Sequence, residues 1–233
     1  MNCLVVEDSR LARKELVQQL TALQTFDEIR VVTNAEEALA AVADAVPDVL
    51  FLDIHLPGKD GFELLEELDL VPRVIFTTAY DEYAIRSFEH NTIDYLLKPI
   101  SPARLEKAVD KLLAHVSSGR EVKSSRDQIF VRDGERCWFV SLGDIRLFES
   151  VGNYVRVYFG SNQPLIHKSL SALEAILDEN IFYRVNRQQM INLTYVEKVD
   201  TWFSDTLKIT LRTGEEIEVS RRQSSRLKKL FSL

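Results

Sequence analysis

Four short apolar runs, each ending on polar or charged residues, constrain the first half of this chain more than any other feature. They are L-V-V-E-D at 4–8, V-L-F-L-D at 49–53, V-I-F-T-T at 74–78 and Y-L-L-K at 95–98. Apolar runs of this length without polar alternation suit parallel strands buried on both faces, and the stretches between them carry helical periodicity. After Pro102, for example, Leu105, Ala108, Val109, Leu112 and Leu113 follow i, i+3, i+4, i+7, i+8 spacing, one stripe that can pack on a sheet. The expectation for this half is therefore α/β.

The rhythm changes beyond His115. V-S-S-G-R-E-V-K-S-S-R-D loses the apolar period and gains Ser, Gly and charge, as an exposed connector does. After it, I-F-V-R, C-W-F-V, Y-V-R-V-Y-F, L-K-I-T-L and E-I-E-V read as half-buried strands separated by turn-prone D-G, G-S-N and T-G. Two helices interrupt them: S-L-S-A-L-E-A-I-L-D from near Ser169, and S-R-R-Q-S-S-R-L-K-K-L-F at the C-terminus, where Leu227, Leu230 and Phe231 can form a stripe. The second half is expected to be mainly β. The expected division is residues 1–116, a linker at 117–127, and residues 128–233. A length of 233 residues suits two modest domains, which usually hold roughly 100–200 residues each.

Charge divides at the same place. Residues 1–116 hold 11 basic and 21 acidic residues, a net of −10, whereas 117–233 hold 18 and 15, a net of +3. A basic half can meet an anionic polymer that an acidic half repels. The two cysteines, Cys3 and Cys137, lie far apart in apparent strands, which excludes a disulfide framework or a C-x-x-C site. No run of about 18 apolar residues occurs. The opening M-N-C-L-V-V-E-D reaches two acids too soon for the apolar region of a signal peptide, so the expected location is cytoplasmic.

In an open parallel sheet, ligands collect at the carboxyl ends of the strands. The residues ending the runs are Glu7 and Asp8, Asp53, Thr78 and Lys98. Three neighbouring carboxylates repel one another unless a cation sits among them, and Mg²⁺ suits one or two carboxylates plus phosphate oxygens and water. Asp53 can accept a phosphoryl group as a nucleophile, and the Thr78 hydroxyl and Lys98 ammonium can hold phosphoryl oxygens. Pro99 follows Lys98 and can adopt a cis peptide bond. His55, His90, His115 and His167 have no metal-ligand spacing.

V-V-E-D, F-L-D-I-H-L-P-G-K-D-G, F-T-T-A-Y and D-Y-L-L-K-P occur in the order of the receiver domain of response regulators, which residues 1–116 resemble. The resemblance implies a flavodoxin-like parallel sheet with helices on both faces. It also implies Asp53 as phosphoacceptor, Glu7, Asp8, Asp53 and the backbone carbonyl of His55 as Mg²⁺ ligands, Thr78 as switch hydroxyl, Lys98 as phosphate-sensing lysine and Tyr95 as switch aromatic. Glu7 stands where the family more often has Asp, and Thr77 beside Thr78 offers a second hydroxyl.

From about Asp127 the chain resembles the LytTR (LytR/AlgR-type) DNA-binding domain, through I-R-L-F-E-S-V-G-N-Y-V-R-V-Y, H-K-S-L-S-A-L-E, F-Y-R-V-N-R-Q-Q-M-I-N-L and I-E-V-S-R-R. That family meets DNA through loops of a β-rich body. The resemblance makes Asn153, Tyr154, Arg187, Gln188, Arg221 and Arg222 the DNA-facing residues, with Lys168, Arg226, Lys228 and Lys229 available to phosphates. Asn186 stands where the family often has His. Together the two resemblances imply a two-component response regulator, not an enzyme: a sensor histidine kinase supplies the phosphoryl group, phosphorylation favours a homodimer, and the dimer binds direct-repeat promoter DNA. Two other classes compete. A phosphatase using an aspartyl phosphate requires a second Asp two residues after the nucleophile, where this chain has His55. A regulator acting only through protein contacts would lack the steep salt dependence of DNA binding.

Overall fold

The computed structural model describes residues 1–79, 88–90, 92–117, 128–134, 136–203 and 206–231. The expected linker, apart from Ser117, lies outside these residues, as do the side chains of Leu230 and Phe231. The chain divides into two compact units, Met1–Ser141 and Leu142–Leu233. No helix among the described residues is long and apolar enough to cross a membrane.

In the first unit the four apolar runs become strands of one parallel sheet. Its members are β1 (Asn2–Val6), β2 (Glu28–Val32), β3 (Val49–Asp53), β4 (Arg73–Thr78) and β6 (Asp94–Leu97), in the order β2-β1-β3-β4-β6. One face is covered by α1 (Arg10–Ala22) and α4 (Pro102–Ser117), where Leu16, Leu20, Leu105, Ala108 and Leu112 pack on Cys3, Val5, Phe51 and Ile75. On the other face α2 (Ala35–Asp44) and α3 (Gly61–Glu67) bring Ala38, Val42, Leu64 and Leu65 against Leu4, Val6, Leu52 and Phe76. The expected α/β architecture with helices on both faces is what the chain adopts. Leu113 is a local exception, 38% exposed, because i+8 falls about 80° round the helix from Leu105.

The helix starts are written locally. The Asn34 side chain accepts from the Glu37 N–H to cap α2. Asp60 and Glu63 form a reciprocal capping box at α3, fixing where the chain turns after β3.

The hairpin β7 (Gln128–Asp133) and β8 (Arg136–Ser141) packs within the first unit, although its pattern had grouped it with the second half. The reason is its apolar face: Phe130, Cys137 and Phe139 join the core on the α2–α3 side of the parallel sheet. A short strand β5 (Phe88–His90) pairs in parallel with β8, giving the order β5-β8-β7.

The second unit is mainly β, as its alternation implied. Strands β9 (Ile145–Val151), β10 (Tyr154–Phe159), β11 (Leu165–Ile166), β12 (Phe182–Arg184) and β13 (Gln189–Asn192) form an antiparallel sheet in the order β11-β10-β9-β13-β12. A second antiparallel sheet holds β14 (Val196–Thr201), β15 (Leu207–Leu211) and β16 (Glu216–Val219). Between them lies a core of Leu147, Val185, Ile191, Ile209, Leu211 and Val219, completed by Leu227 of α6 (Arg221–Phe231). Phe148, alternating to the opposite face of β9, meets Phe182 at 5.6 Å. On that side α5 (Leu170–Ile176) packs against β9, started by Ser169 accepting from the Ala172 N–H.

Candidate functional site

The order β2-β1-β3-β4-β6 reverses direction between β1 and β3, so a crevice opens at the carboxyl ends of these two strands. Glu7 and Asp8 follow β1, and Asp53 ends β3. One carboxylate oxygen from each of the three lies within 4.8 Å of the other two. Glu7 and Asp53 are buried, 1% and 4% exposed, whereas Asp8 is open to solvent.

Lys98, one residue past β6, bridges the buried pair: its Nζ lies 2.6 Å from Asp53 Oδ2 and 2.7 Å from Glu7 Oε2. The other oxygen of Asp53 accepts from the His55 N–H at 3.0 Å. Burial pushes the Glu7 carboxyl above its ordinary range, and the hydrogen bond from Lys98 only partly restores it. Burial works against the Lys98 ammonium too, but its hydrogen bonds to Asp53 and Glu7 prevail and hold its pKa above the usual lysine value. Lys98 is thus the cation that makes this acidic cluster tolerable.

Several backbone features hold the cluster. Arg13 donates to the carbonyls of Glu7 (2.7 Å) and Asp8 (2.9 Å), and the Lys98 N–H donates to the Thr78 carbonyl at 2.7 Å. The Lys98–Pro99 peptide bond is cis. Gly61 N–H donates to the Ile54 carbonyl at 2.8 Å, so closely that a Cβ on Gly61 would stand 2.7 Å from the Asp53 carbonyl oxygen.

Thr78 is fully buried at the end of β4, one residue beyond Thr77, which stands in register with Asp53. The Thr77 hydroxyl is buried and has no hydrogen-bond partner among the described residues. Tyr95 lies in β6 and packs against the α2–α3 side of the sheet, the side that also holds Phe130 and Phe139.

The second unit gathers the remaining residues at one end. The Ser150 N–H donates to the Gln188 carbonyl at 2.7 Å, which ties the end of β9, beside the turn at Asn153 and the start of β10 at Tyr154, to the loop carrying Arg187 and Gln188. The Ser220 N–H donates to the Val185 carbonyl at 2.9 Å, which ties that loop to the start of α6 at Arg221 and Arg222. All six of these residues are exposed. Lys168 is half-buried, and its neighbour His167 meets the Tyr154 ring edge-on at 5.4 Å.

Two features of this end escape the sequence reading. The Asn186 side chain braces the loop, accepting from the Gln188 N–H (2.8 Å) and donating to Gln189 Oε1 (3.0 Å) and the Glu218 carbonyl (2.9 Å). Arg184 supports it from beneath, donating to the Arg187 carbonyl (3.0 Å) and Glu174 (2.9 Å). The departure from His at 186 was visible, but the partners that occupy the amide are 3 and 32 residues away in sequence. The other feature is the turn between β14 and β15, where Trp202 lies under Lys208 (4.4 Å) and Phe203 is 85% exposed. Strand register carries that turn to the same end of its sheet as Arg221.

Residues 3–110 match the model of the response regulator receiver domain, and residues 135–232 that of the LytTr DNA-binding domain. The sensory transduction protein LytT of Bacillus subtilis (strain 168) is 30% identical over 240 residues, covering 100% of both chains. An uncharacterized response regulatory protein of Vibrio vulnificus (strain CMCP6) is 33% identical over 242 residues, covering 100% of this chain and 99% of its own. Among solved structures, the response regulatory domain of mrkE from Klebsiella pneumoniae aligns at 29% identity over 49% of this chain and 97% of its own, with a TM-score of 0.45. The β2-β1-β3-β4-β6 parallel sheet with its acidic crevice, the two matched domains and relatives matched over their whole length lead to one assignment. The chain belongs to the family of two-component response regulators that join a receiver domain to a LytTR DNA-binding domain.

Proposed function

We propose that this protein is a phosphorylation-controlled transcription regulator in which Asp53 is the phosphoacceptor. The observation that carries this reading is the buried cluster in which Lys98 Nζ lies between Asp53 and Glu7 at 2.6 and 2.7 Å, in a chain whose other half is a LytTR domain. Asp53 Oδ attacks the phosphorus of a phosphohistidine on a partner kinase; the P–O bond forms, the P–N bond breaks and the imidazole leaves. The product is an acyl phosphate carrying about −1.5 to −2 charge. Lys98 already contacts the reacting carboxylate and turns to the new phosphoryl oxygens, and Thr78 supplies a hydroxyl to them.

The hard oxygen donors of Glu7, Asp8 and Asp53, all within 4.8 Å, fit Mg²⁺, with the His55 carbonyl as a fourth ligand. When bound, the ion neutralises charge on the transferring phosphoryl group. The Glu7 side chain is one methylene longer than that of Asp, and its Oε1 accepts from the Ser9 N–H at 3.2 Å.

Residues 1–116 act as the receiver and 128–233 carry the DNA-binding half, joined by 117–127. Phosphorylation favours a homodimer, which sets two LytTR domains on direct-repeat promoter elements and gains affinity by linkage. Asn153, Tyr154, Arg187, Gln188, Arg221 and Arg222 face the DNA, with Lys168 at the edge. The location is cytoplasmic, where the kinase's phosphohistidine and the promoter are both accessible.

The test is promoter capture followed by salt-titrated binding to the best fragment, for wild type and Asp53→Ala, with and without Mg²⁺ and acetyl phosphate. Specific binding strengthened by acetyl phosphate only in wild type is expected. Binding indifferent to Asp53 removes the switch, and no specific binding in any state removes the DNA reading.

A further inference from the structure

The hairpin β7–β8 has two allegiances. By family, the LytTR match begins at residue 135 and so takes in β8, yet the hairpin packs in the first compact unit. Its seat there is well built. The Phe130 ring stacks on Phe62 at 6.3 Å and 11°, Phe139 meets Phe76 at 6.2 Å, and Phe130 and Phe139 touch at 5.1 Å. Polar contacts fix the register: the Val71 N–H donates to the Gln128 carbonyl at 3.0 Å, and Gln128 Nε2 donates to the Pro72 carbonyl at 2.9 Å. The Arg132 guanidinium lies 5.7 Å from the Phe62 ring centroid.

This seat adjoins the proposed switch. Phe76 is two residues before Thr78 in β4, hence on the same face of the sheet. Tyr95 packs against the same cluster of side chains that contains Phe130, Cys137 and Phe139. Any movement of Thr78 and Tyr95 toward a phosphoryl group therefore changes the surface on which the hairpin rests. From Ser141 the chain runs through a 3-10 turn, Leu142–Asp144, directly into β9, whose Ser150 holds the Arg187–Gln188 loop.

We propose that the α2–α3 face of the receiver, centred on Phe62 and Phe76, is a docking surface for the chain's own β7–β8 hairpin, and that phosphoryl loading of Asp53 loosens this docking. The inference rests on the reading of Asp53 as phosphoacceptor. It makes the hairpin the element through which the receiver addresses the DNA-binding half. Coupling between two sites is ordinarily worth roughly 5- to 150-fold, so loading shifts an opening equilibrium and does not expel the hairpin outright.

Cys137 reports on the docking. It is 5% exposed within the docked face, and burial raises its thiol pKa to about 11, so it is protected while the hairpin is seated. Cys3, fully buried in β1, which is flanked by strands on both sides, is an internal control that reacts only when the receiver itself opens. Full-length protein is labelled with iodoacetamide, with and without Mg²⁺ and beryllofluoride as phosphoryl analogue, and both cysteines are followed by mass spectrometry. DNA retention is measured on the same samples.

The expected result is Cys137 labelling about tenfold faster with beryllofluoride in wild type and unchanged in Asp53→Ala, with Cys3 slow throughout. Phe62→Ala, which removes the half-buried ring stacked on Phe130, is expected to speed Cys137 labelling without beryllofluoride while leaving Cys3 slow. If beryllofluoride strengthens DNA retention but leaves Cys137 protected, the docking inference is overturned and the switched-regulator reading stands. If it alters neither, both fall. Cys3 accelerating together with Cys137 would assign the effect to general loosening and likewise overturn the inference.

Discussion

At the scale of single residues, the acidic crevice depends on close approach and on the ammonium of Lys98 between two carboxylates. Gly61 has no Cβ where one would stand 2.7 Å from the Asp53 carbonyl oxygen and 3.2 Å from Ile54 Cα, both backbone atoms with little room to yield. Gly61→Ala is expected to cost about 1–3 kcal/mol in urea unfolding and to slow acetyl phosphate uptake by displacing Asp53. Lys98→Met removes the ammonium held between Glu7 and Asp53. Mg²⁺ titration should then show binding tighter by about 1 kcal/mol or more, since the ion no longer competes with a fixed charge, while the phosphoryl-dependent gain in DNA binding is lost. The identities of Glu7, Asp8, Asp53 and Lys98 were legible because each ends an apolar run. Their distances were not, and neither was the part played by Gly61, because a glycine after an Asp cap reads as an ordinary helix start.

At the scale of elements, side chains fixed by several partners hold one segment to another. Asp94 opens β6 and accepts from Arg104 of α4 through both oxygens at 2.6 and 2.7 Å, with Lys111 at 3.1 Å. Burial pushes its carboxyl up, but these hydrogen bonds outweigh burial and hold it below the usual carboxylate range. A depressed carboxylate adds stability above its unfolded pKa, about 3.9, and loses it as pH falls through the lower folded value. Asp94→Asn should therefore cost about 2–3 kcal/mol at pH 7, and the gap to wild type should shrink in acid melts below about pH 4. In the second unit, Asn186→Ala removes the brace between the Arg187–Gln188 loop and β16. DNA affinity is expected to fall by about 1–2 kcal/mol through loop disorder, measurable by anisotropy, with the melting temperature changing little. Strand and helix existence followed from period and capping residues such as Asn34, Asp60 and Ser169. The allegiance of the β7–β8 hairpin did not, because an alternating strand pattern states that one face is buried without stating against what.

At the scale of the whole molecule, residues 1–116 carry a net charge of −10 and residues 117–233 one of +3, so the proposed attraction to DNA would have to come from local basic residues and not from the charge of the chain. Binding should weaken steeply with salt: if Arg187, Arg221 and Arg222 each neutralise one phosphate, log Kd against log salt has a slope of roughly 3 or steeper. A flat salt response would remove the DNA-facing role of this end. The sequence by itself determined the two-part organisation, the α/β and mainly-β classes, and which charged residues end the strands, because these depend on local periodicity, capping and charge. Only the tertiary structure decided that Lys98 spans Glu7 and Asp53, that loops near 153, 187 and 221 meet at one end, and that the hairpin rests on the receiver's Phe62 and Phe76. These are juxtapositions of residues 30 or more positions apart in sequence, and they arise from sheet order and burial, which no local pattern encodes.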